Sequence, residues 1–408
     1  MTYALPTQHG ANLRAGKRAV AALRLLTRRD PTPSDAEWRR IGEAMTRGDP
    51  LADTLVDWMH EHGMAPARAL FEQALQHGIG AVAEAPAPLR RFFETVEAPP
   101  PWLDMARIER GAEVCRMAGN MSSQVLRDGA LMGGYQASGL NRVLVITGAL
   151  EKGAGKRVAE TSQWWLSCSE KGGMTRFGPG FRQSLRVRMV HALVRRHVAA
   201  HPDWNAARDG VPVAQMGMAA TQLAFSCLFL IGIRVLGFPF SKADGAAVMH
   251  LMRYSGWLMG VEEDLLPDDE QSGRVLLYQM GLSLTDADES GRRLARALAD
   301  EPLGRPYPRF AALRRFYERE RNLSLNRFFM GGTGMKALGL PWRPVPWYPM
   351  IALPVNTLRF LWCTRTAAAR ARMAERGRKA QYAWVDSLVG AMHHEIGGAI
   401  RHLTEGNP

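Results

Sequence analysis

Apolar residues recur at helical spacing along almost the whole chain, and no segment shows the alternation expected of a strand. The clearest example is a single apolar stripe in one segment, formed by Val187, Val190, Val194 and Val198. Gly237 and the pair Gly331–Gly332 follow apolar segments as helix-ending glycines usually do. These patterns together predict an all-α protein.

The longest apolar run, Leu223–Ile233, lies between Gln222 and Arg234. It is much shorter than the ~20 residues that a membrane-spanning helix needs, so we predict a buried core helix. The first 29 residues lack the apolar core and cleavage site of a secretory signal. We therefore expect a cytoplasmic protein, with the inner face of the membrane as a second location.

Proline clusters and changes in composition predict three parts. Pro86–Pro101 is rich in proline and separates an N-terminal helical region, residues 1–95, from the rest. Residues 96–340 form a succession of helical segments and are the predicted core. Residues 341–408 form a basic C-terminal helical segment.

The chain carries 52 Lys and Arg against 39 Asp and Glu, a formal net charge of +13. Such an excess favours an anionic partner, either a membrane surface or nucleic acid. No nucleic-acid recognition module is present in the sequence, so we expect no nucleic acid partner. The alternative is an arginine-rich surface that only water covers.

The C-terminal segment combines apolar and basic residues. An aromatic stretch broken by prolines, Pro346–Pro354, precedes the apolar residues of 358–362. The basic residues that follow are Arg365, Arg370, Arg372, Arg376, Arg378 and Lys379. This combination predicts peripheral contact with anionic lipid. The alternative is a helix packed on the protein body with a solvated basic face.

Several tempting motifs do not meet the requirements of a site. The glycine-rich Gly129–Gly134 and Gly331–Lys336 lack the phosphate-loop spacing and follow no strand. The four cysteines lie far apart in apolar segments: Cys115, Cys168, Cys227 and Cys363. We therefore expect buried thiols in a reducing compartment and no zinc site.

One histidine lies within an apolar helical stripe. His191 follows Val187 and Val190 at helical spacing, so its imidazole points the same way as their side chains. A neutral imidazole directed inward from a rigid helix suits the proximal ligand of a haem iron. Arginines of the same segment, Arg195 among them, are suited to bind haem propionates. The alternative is a core histidine hydrogen-bonded to its neighbours.

The preceding segment offers polar side chains for the opposite side of such a pocket. Arg157 and Thr161 are four residues apart and share a helix face, and Trp165 follows one turn later. A cation and a hydroxyl on one inward face can donate hydrogen bonds to bound dioxygen. The alternative is an ion pair of Arg157 with Glu160 or Glu151 and a threonine bonded to its own backbone.

Four blocks of the sequence resemble the MpaB-type oxygenase family, which includes bacterial latex-clearing proteins (rubber oxygenases) and fungal MpaB. The blocks are KRVAETSQWWLSCSEKGG, LRVRMVHALVRRHV, PVAQMGMAATQLAFSCLFLIGIRVLGFPFS and YSGWLMGVEEDLLPDD. The resemblance runs from about Trp102 to Tyr278. Its most specific part is the combination of an RxxxT motif with the histidine of VHA thirty residues later.

The resemblance implies an all-helical, globin-like core that holds a non-covalent b-type haem. It assigns His191 as the proximal ligand and places Arg157 and Thr161 on the distal side. The chemistry that it implies is cleavage of an isoprenoid carbon–carbon double bond by dioxygen, which yields carbonyl products. We take Arg195 and Trp165 as further contacts of the haem.

Two positions depart from the rubber-cleaving members. Asn141 stands where those members have an acid, about twenty residues before the distal threonine, and Glu160 replaces the lysine just before that threonine. No export signal like that of the secreted latex-clearing proteins is readable. We therefore expect a small or membrane-resident unsaturated isoprenoid or lipid as the substrate.

The sequence thus predicts a haem b-dependent oxygenase that acts on an apolar unsaturated substrate with dioxygen. The departure at Asn141 leaves open a haem-binding sensor or carrier without turnover. A helical lipid-binding protein without haem is a third possibility, favoured by 21 Met and 11 Trp in the chain.

Overall fold

Every regular element in the described part of the chain is helical, which confirms the all-α prediction. This computed structural model describes residues 4–10, 24, 29–148, 153–284 and 287–389. The α-helices are, in chain order, α1 (Asp35–Ala44), α2 (Pro50–Glu61), α3 (Met64–His77), α4 (Ala87–Glu97), α5 (Met105–Ala118), α6 (Asn120–Gln124), α7 (Met132–Gly134), α8 (Ser138–Ile146), α9 (Ala154–Ser169), α10 (Pro179–Ala199), α11 (Ala206–Asp209), α12 (Gln215–Leu223), α13 (Phe229–Val235), α14 (Lys242–Leu258), α15 (Glu270–Leu282), α16 (Glu289–Asp300), α17 (Ala311–Ala337), α18 (Trp347–Cys363) and α19 (Ala367–Val389).

Two π-helical segments join neighbouring α-helices in the core. Val125–Leu131 connects α6 with α7, and Ala224–Leu228 connects α12 with α13. The helices that contain them approach closely, because a Cβ added to Gly232 would lie 2.3 Å from Cγ1 of Val125. Glycine at this position is therefore what permits the contact.

The helix formed by α12, the second π segment and α13 is long and apolar enough to span a membrane by length and composition. It runs from Gln215 to Val235, and 72% of its apolar window is buried inside the fold. Among the described residues it is the sole helix that meets those criteria. Such burial is typical of a core helix, in agreement with the prediction for Leu223–Ile233.

Glycine signals placed two helix ends correctly. Gly237 follows α13 with φ +90, and a Cβ there would lie 2.2 Å from the carbonyl oxygen of Leu353. At the end predicted at Gly331–Gly332, Gly331 leaves the helical conformation with φ 65, so α17 is kinked there and a further helical stretch follows to Ala337. The proline-broken stretch is also helical, since α18 runs through Pro354.

The N-terminal helices join the same hydrophobic core as the rest of the chain. Leu55 and Met59 of α2 belong to one buried cluster with Leu185 and Leu193 of α10. A row of ion pairs also joins α2 and the residue before it to α10: Asp49–Arg188, Asp53–Arg195 and Asp57–Arg196. The divisions predicted at residues 95 and 340 stay predictions.

Candidate functional site

Three helices meet around the predicted site. Trp164 of α9 donates a hydrogen bond from Nε1 to the hydroxyl of Ser184 in α10, at 3.1 Å. The Trp164 ring also packs edge-to-face on Phe225 of the Gln215–Val235 helix, with centroids 4.9 Å apart. Arg195 of α10 approaches the sulfur of Met218 at 4.0 Å. Each of the three helices therefore contacts the other two.

We call the region between these three helices the candidate cleft. Thr161 in α9 and Thr221 in α12 are exposed, and His191 in α10 is partly exposed. Helical spacing places all three on the same faces as the contact residues that join the helices. His191 and Thr161 therefore lie on faces of α10 and α9 that adjoin the candidate cleft.

His191 is neutral and has an unpartnered ring nitrogen. Burial, together with the nearby charge of Arg195, lowers the pKa of His191 to about 4, so the imidazole is uncharged at neutral pH. Its Nδ1 is buried and has no hydrogen-bond partner in the described part of the chain. Buried polar atoms usually have a partner, so this side chain differs from a satisfied core histidine. A neutral imidazole is the form that binds a metal.

Arg157 is positioned by a tyrosine. Its guanidinium forms a hydrogen bond with the hydroxyl of Tyr135, a residue that is 3% exposed. Burial raises the pKa of Tyr135, and the charge of Arg157 opposes that rise. Because Arg157 and Thr161 are four residues apart in α9, the tyrosine fixes a cation on the face that bears the threonine. The alternative partner Glu151 lies outside the described residues.

Trp165 forms part of an aromatic wall. It is 3% exposed, stacks on Phe225 with centroids 5.9 Å apart, and packs edge-to-face on Phe229 at 4.9 Å. Its Nε1 is buried without a hydrogen-bond partner among the described residues. Packing on two phenylalanine rings gives Trp165 a fixed orientation beside the cleft.

Arg195 is bound to other parts of the protein rather than directed to the candidate cleft. Its guanidinium pairs with Asp53 of α2 and donates a hydrogen bond from Nη2 to the carbonyl oxygen of Val213 at 3.1 Å. The side chain is 6% exposed. A guanidinium held in this way supports the packing of α2 on α10, and the geometry does not favour the propionate contact predicted for it.

Asn141 also has a structural task. It is 1% exposed and donates a hydrogen bond from Nδ2 to the carbonyl oxygen of Tyr135 at 2.7 Å. A carboxylate at this position would have no proton to donate to that carbonyl. The side chain therefore stabilises the turn before α8.

The geometry can be compared with known proteins. The family model of the catalytic domain of ER-bound oxygenase mpaB/B′ and rubber oxygenase matches residues 115–366. The chain belongs to this family. It is therefore a member of an oxygenase family, and its candidate site residues all lie within the matched region.

Two proteins illustrate the similarity. The chain is 25% identical to the rubber oxygenase of Streptomyces sp. (strain K30) over 227 residues, which span 54% of this chain and 54% of that relative. The solved structure of latex clearing protein LCP in the closed state superposes with a TM-score of 0.64 and 20% identity. That superposition covers 83% of this chain and 91% of the other, and it confirms the shared helical fold.

Sequence reasoning missed two residues of the site. Tyr135 lies in a turn, where spacing does not relate it to Arg157 of α9. Thr221 is a polar residue just before an apolar run. Its position two helical turns before Leu228 places both on one helix face, and this spacing could have indicated that Thr221 faces the site.

Proposed function

We propose that the protein is a haem b-dependent oxygenase that uses dioxygen to oxidise or cleave an apolar unsaturated isoprenoid or lipid. The observation that carries the proposal is the neutral imidazole of His191, whose buried Nδ1 has no hydrogen-bond partner in the described part of the chain. Membership of an oxygenase family supports the reaction class, and the apolar substrate follows from the same relationship.

The residues around the cleft fit a haem. His191 supplies a neutral nitrogen for the iron, and the aromatic wall of Trp165 and Phe225 suits a flat apolar macrocycle. Haem, when bound, would supply the dioxygen binding and the redox chemistry. The protein itself would contribute the imidazole of His191 to hold the haem and the side chains that surround the oxygen.

Arg157 and Thr161 would act on the oxygen side of the cleft. The hydrogen bond that the Arg157 guanidinium donates to the Tyr135 hydroxyl holds the cation before any ligand enters, so little reorganisation is needed during the reaction. The Thr161 hydroxyl is exposed to the cleft and is free to donate a hydrogen bond to an oxygen atom there. Both groups would stabilise negative charge that develops on oxygen.

The proposed cleavage balances without a further reductant. One carbon–carbon double bond is broken, both atoms of one dioxygen enter the products, and two carbonyl groups form. The two carbons are oxidised as the two oxygen atoms are reduced. The reaction therefore needs a supply of dioxygen and substrate and no external electron donor.

Purification and spectroscopy test the haem. The protein should show a Soret band, and His191→Ala should lose most of its haem as measured by pyridine haemochrome. His197→Ala is the matched control, because His197 lies on the same helix but is exposed. A colourless folded protein would contradict the proposal and favour a haem-free lipid-binding protein. Full haem retention with an unchanged spectrum in His191→Ala would contradict the assignment of His191 as the iron ligand.

Product analysis tests the oxygenase activity. The haem-loaded protein is incubated with an unsaturated isoprenoid under dioxygen, and mass spectrometry should detect carbonyl products. Thr161→Ala should lower the rate by about 10²-fold while haem content is unchanged. The structural use of Asn141 favours the alternative of a haem sensor or carrier, which would bind haem and yield no such products.

A further inference from the structure

Exposed apolar side chains concentrate on one part of the protein. Outside it, the large hydrophobic residues exposed in the described part of the chain are Leu5, Met105, Phe177 and Leu303. All the others lie between Phe310 and Trp362. Single exposed hydrophobic residues need no explanation, but a concentration of them indicates an interaction surface.

Helix α18 has one face fixed on the protein. Asn356 donates a hydrogen bond from Nδ2 to the carbonyl oxygen of Leu236 at 2.8 Å. Phe360 packs edge-to-face on Phe238 with centroids 4.5 Å apart. These contacts anchor the helix and determine which side chains face outward.

The opposite face of α18 is apolar and exposed. Its members recur at helical spacing, which makes them one continuous stripe. We call this stripe the α18 apolar face; it consists of Met350, Ile351, Val355, Leu358, Leu361 and Trp362, each between 54% and 70% exposed. An ordinary surface helix of a globular protein is polar on this side.

The charges carried by α18 and its neighbours in sequence are all positive. No Asp or Glu occurs between Glu320 and Glu375. Arg359 is exposed on α18, and the guanidinium of Arg365 lies 4.5 Å from the centroid of the Trp362 ring. A tryptophan with an adjacent cation is typical of side chains that lie at the boundary between lipid tails and headgroups.

Two basic residues of α19 bind the protein body rather than solvent. Arg370 pairs with Glu113 and Asp244, and Arg378 pairs with Glu170. These pairs pack α19 on the protein body, while Arg372 and Arg376 are exposed, which agrees with the alternative stated for that helix. The apolar residues of the same prediction lie on α18.

We propose that the α18 apolar face binds the surface of an anionic lipid membrane. Its apolar side chains would enter the region between headgroups and tails, and Arg359 and Arg365 would contact lipid phosphates. A second copy of the chain is a poorer partner, because a two-fold contact would place the arginines of both copies together without an acid on either face. The inference does not rest on haem chemistry.

Vesicle cosedimentation of the full-length protein tests the inference. Binding to vesicles with phosphatidylglycerol should exceed binding to vesicles of phosphatidylcholine alone. Leu358→Ser combined with Trp362→Ser should lower the partition coefficient at least about tenfold, because two buried apolar side chains are lost. The preference is the ratio of binding to vesicles with phosphatidylglycerol over binding to vesicles of phosphatidylcholine alone. Arg359→Gln combined with Arg365→Gln should lower this ratio by about fivefold for each arginine.

Phe177→Ser is the matched control, since Phe177 is 52% exposed and lies outside the proposed surface. It should bind vesicles like the wild type. Equal loss of binding in this control, or no binding of the wild type to either vesicle, would overturn the inference. Light scattering that detects a dimer, dissociated by the Leu358 and Trp362 changes, would overturn it in favour of self-association. Haem content is measured separately, so failure of this surface and failure of the haem site are distinguishable.

Discussion

The ion pair that joins the N-terminal helices to α10 leads to a quantitative prediction. Nε of Arg188 donates to Oδ2 of Asp49 at 2.7 Å, and Nη2 donates to Oδ1 at 2.9 Å. The side chains are 7% and 5% exposed. The perturbation is Asp49→Asn, which keeps the size of the side chain and its ability to cap α2 but removes the charge.

The expected loss of stability is large because the arginine remains buried. Removing one partner of a buried ion pair costs about 3–5 kcal/mol, since the other charge is left without compensation. For a chain of this length the entropy of unfolding is about 0.9 kcal/mol per degree. We therefore expect Asp49→Asn to lower Tm by about 4 °C.

Differential scanning calorimetry measures this change against a matched control. Asp57→Asn removes a charge from the same row, but the Arg196–Asp57 side chains are 50% and 54% exposed. That pair should contribute less than about 1 kcal/mol, so its loss should change Tm by about 1 °C or less. Equal shifts in the two variants would refute the reasoning. Adding Arg188→Gln to Asp49→Asn should recover part of the loss, and strict additivity would also count against it.

Three further predictions concern other parts of the fold. Burial opposes ionisation of Asp244, but hydrogen bonds led by that from Arg370 lower its pKa to about 2. The ionised carboxylate contributes about 2 kcal/mol to the free energy of unfolding; this contribution is complete above pH 4 and is lost as the pH falls through about 2. In Asp244→Asn the free energy of unfolding should therefore depend less on pH in that range. An unchanged pH dependence would contradict this. Tyr135→Phe should lower kcat of the proposed oxygenase about tenfold with unchanged haem content, because Arg157 loses its positioning bond; unchanged kcat would show that this bond has no role. Gly260→Ala should destabilise the protein by about 2 kcal/mol in urea unfolding, because φ is +82 and the added Cβ would lie 2.2 Å from a carboxylate oxygen; unaltered stability would contradict it.

Helical segments were predictable wherever local pattern and packing agree. The helix that carries His191 was predictable from its periodic pattern, but its buried face was predictable only in part. Val194 and Val198 of the predicted stripe are buried, whereas Val187 and Val190 are only partly buried. The course of α18 through Pro354 was not predictable, since long-range contacts such as the bond from Asn356 to Leu236 stabilise it. Gly331, in contrast, interrupts α17 with a non-helical φ, as its local signal predicted.

The candidate site was predictable where its members share a helix. Arg157 and Thr161 are four residues apart, so their common face follows from spacing alone. The ion pair of Arg195 with Asp53 could not be predicted from the segment around Arg195, because the two residues are 142 positions apart in the sequence. Which of several arginines remains available for a ligand depends on pairings across the fold, and the sequence pattern contains no information about them.

The two π-helical segments have a consequence for insertions and deletions. A π turn contains about one residue more than an α turn, so loss of one residue from Ala224–Leu228 can be absorbed by a change to α-helix. Phe229 would then still face Trp165. Gln215–Leu223 is already α-helical, so it contains no extra residue that could absorb a deletion. Loss of one residue there would rotate the preceding part of the helix by about 100°. The protein should therefore tolerate a one-residue deletion within Ala224–Leu228 much better than one within Gln215–Leu223, although both stretches belong to the same helix.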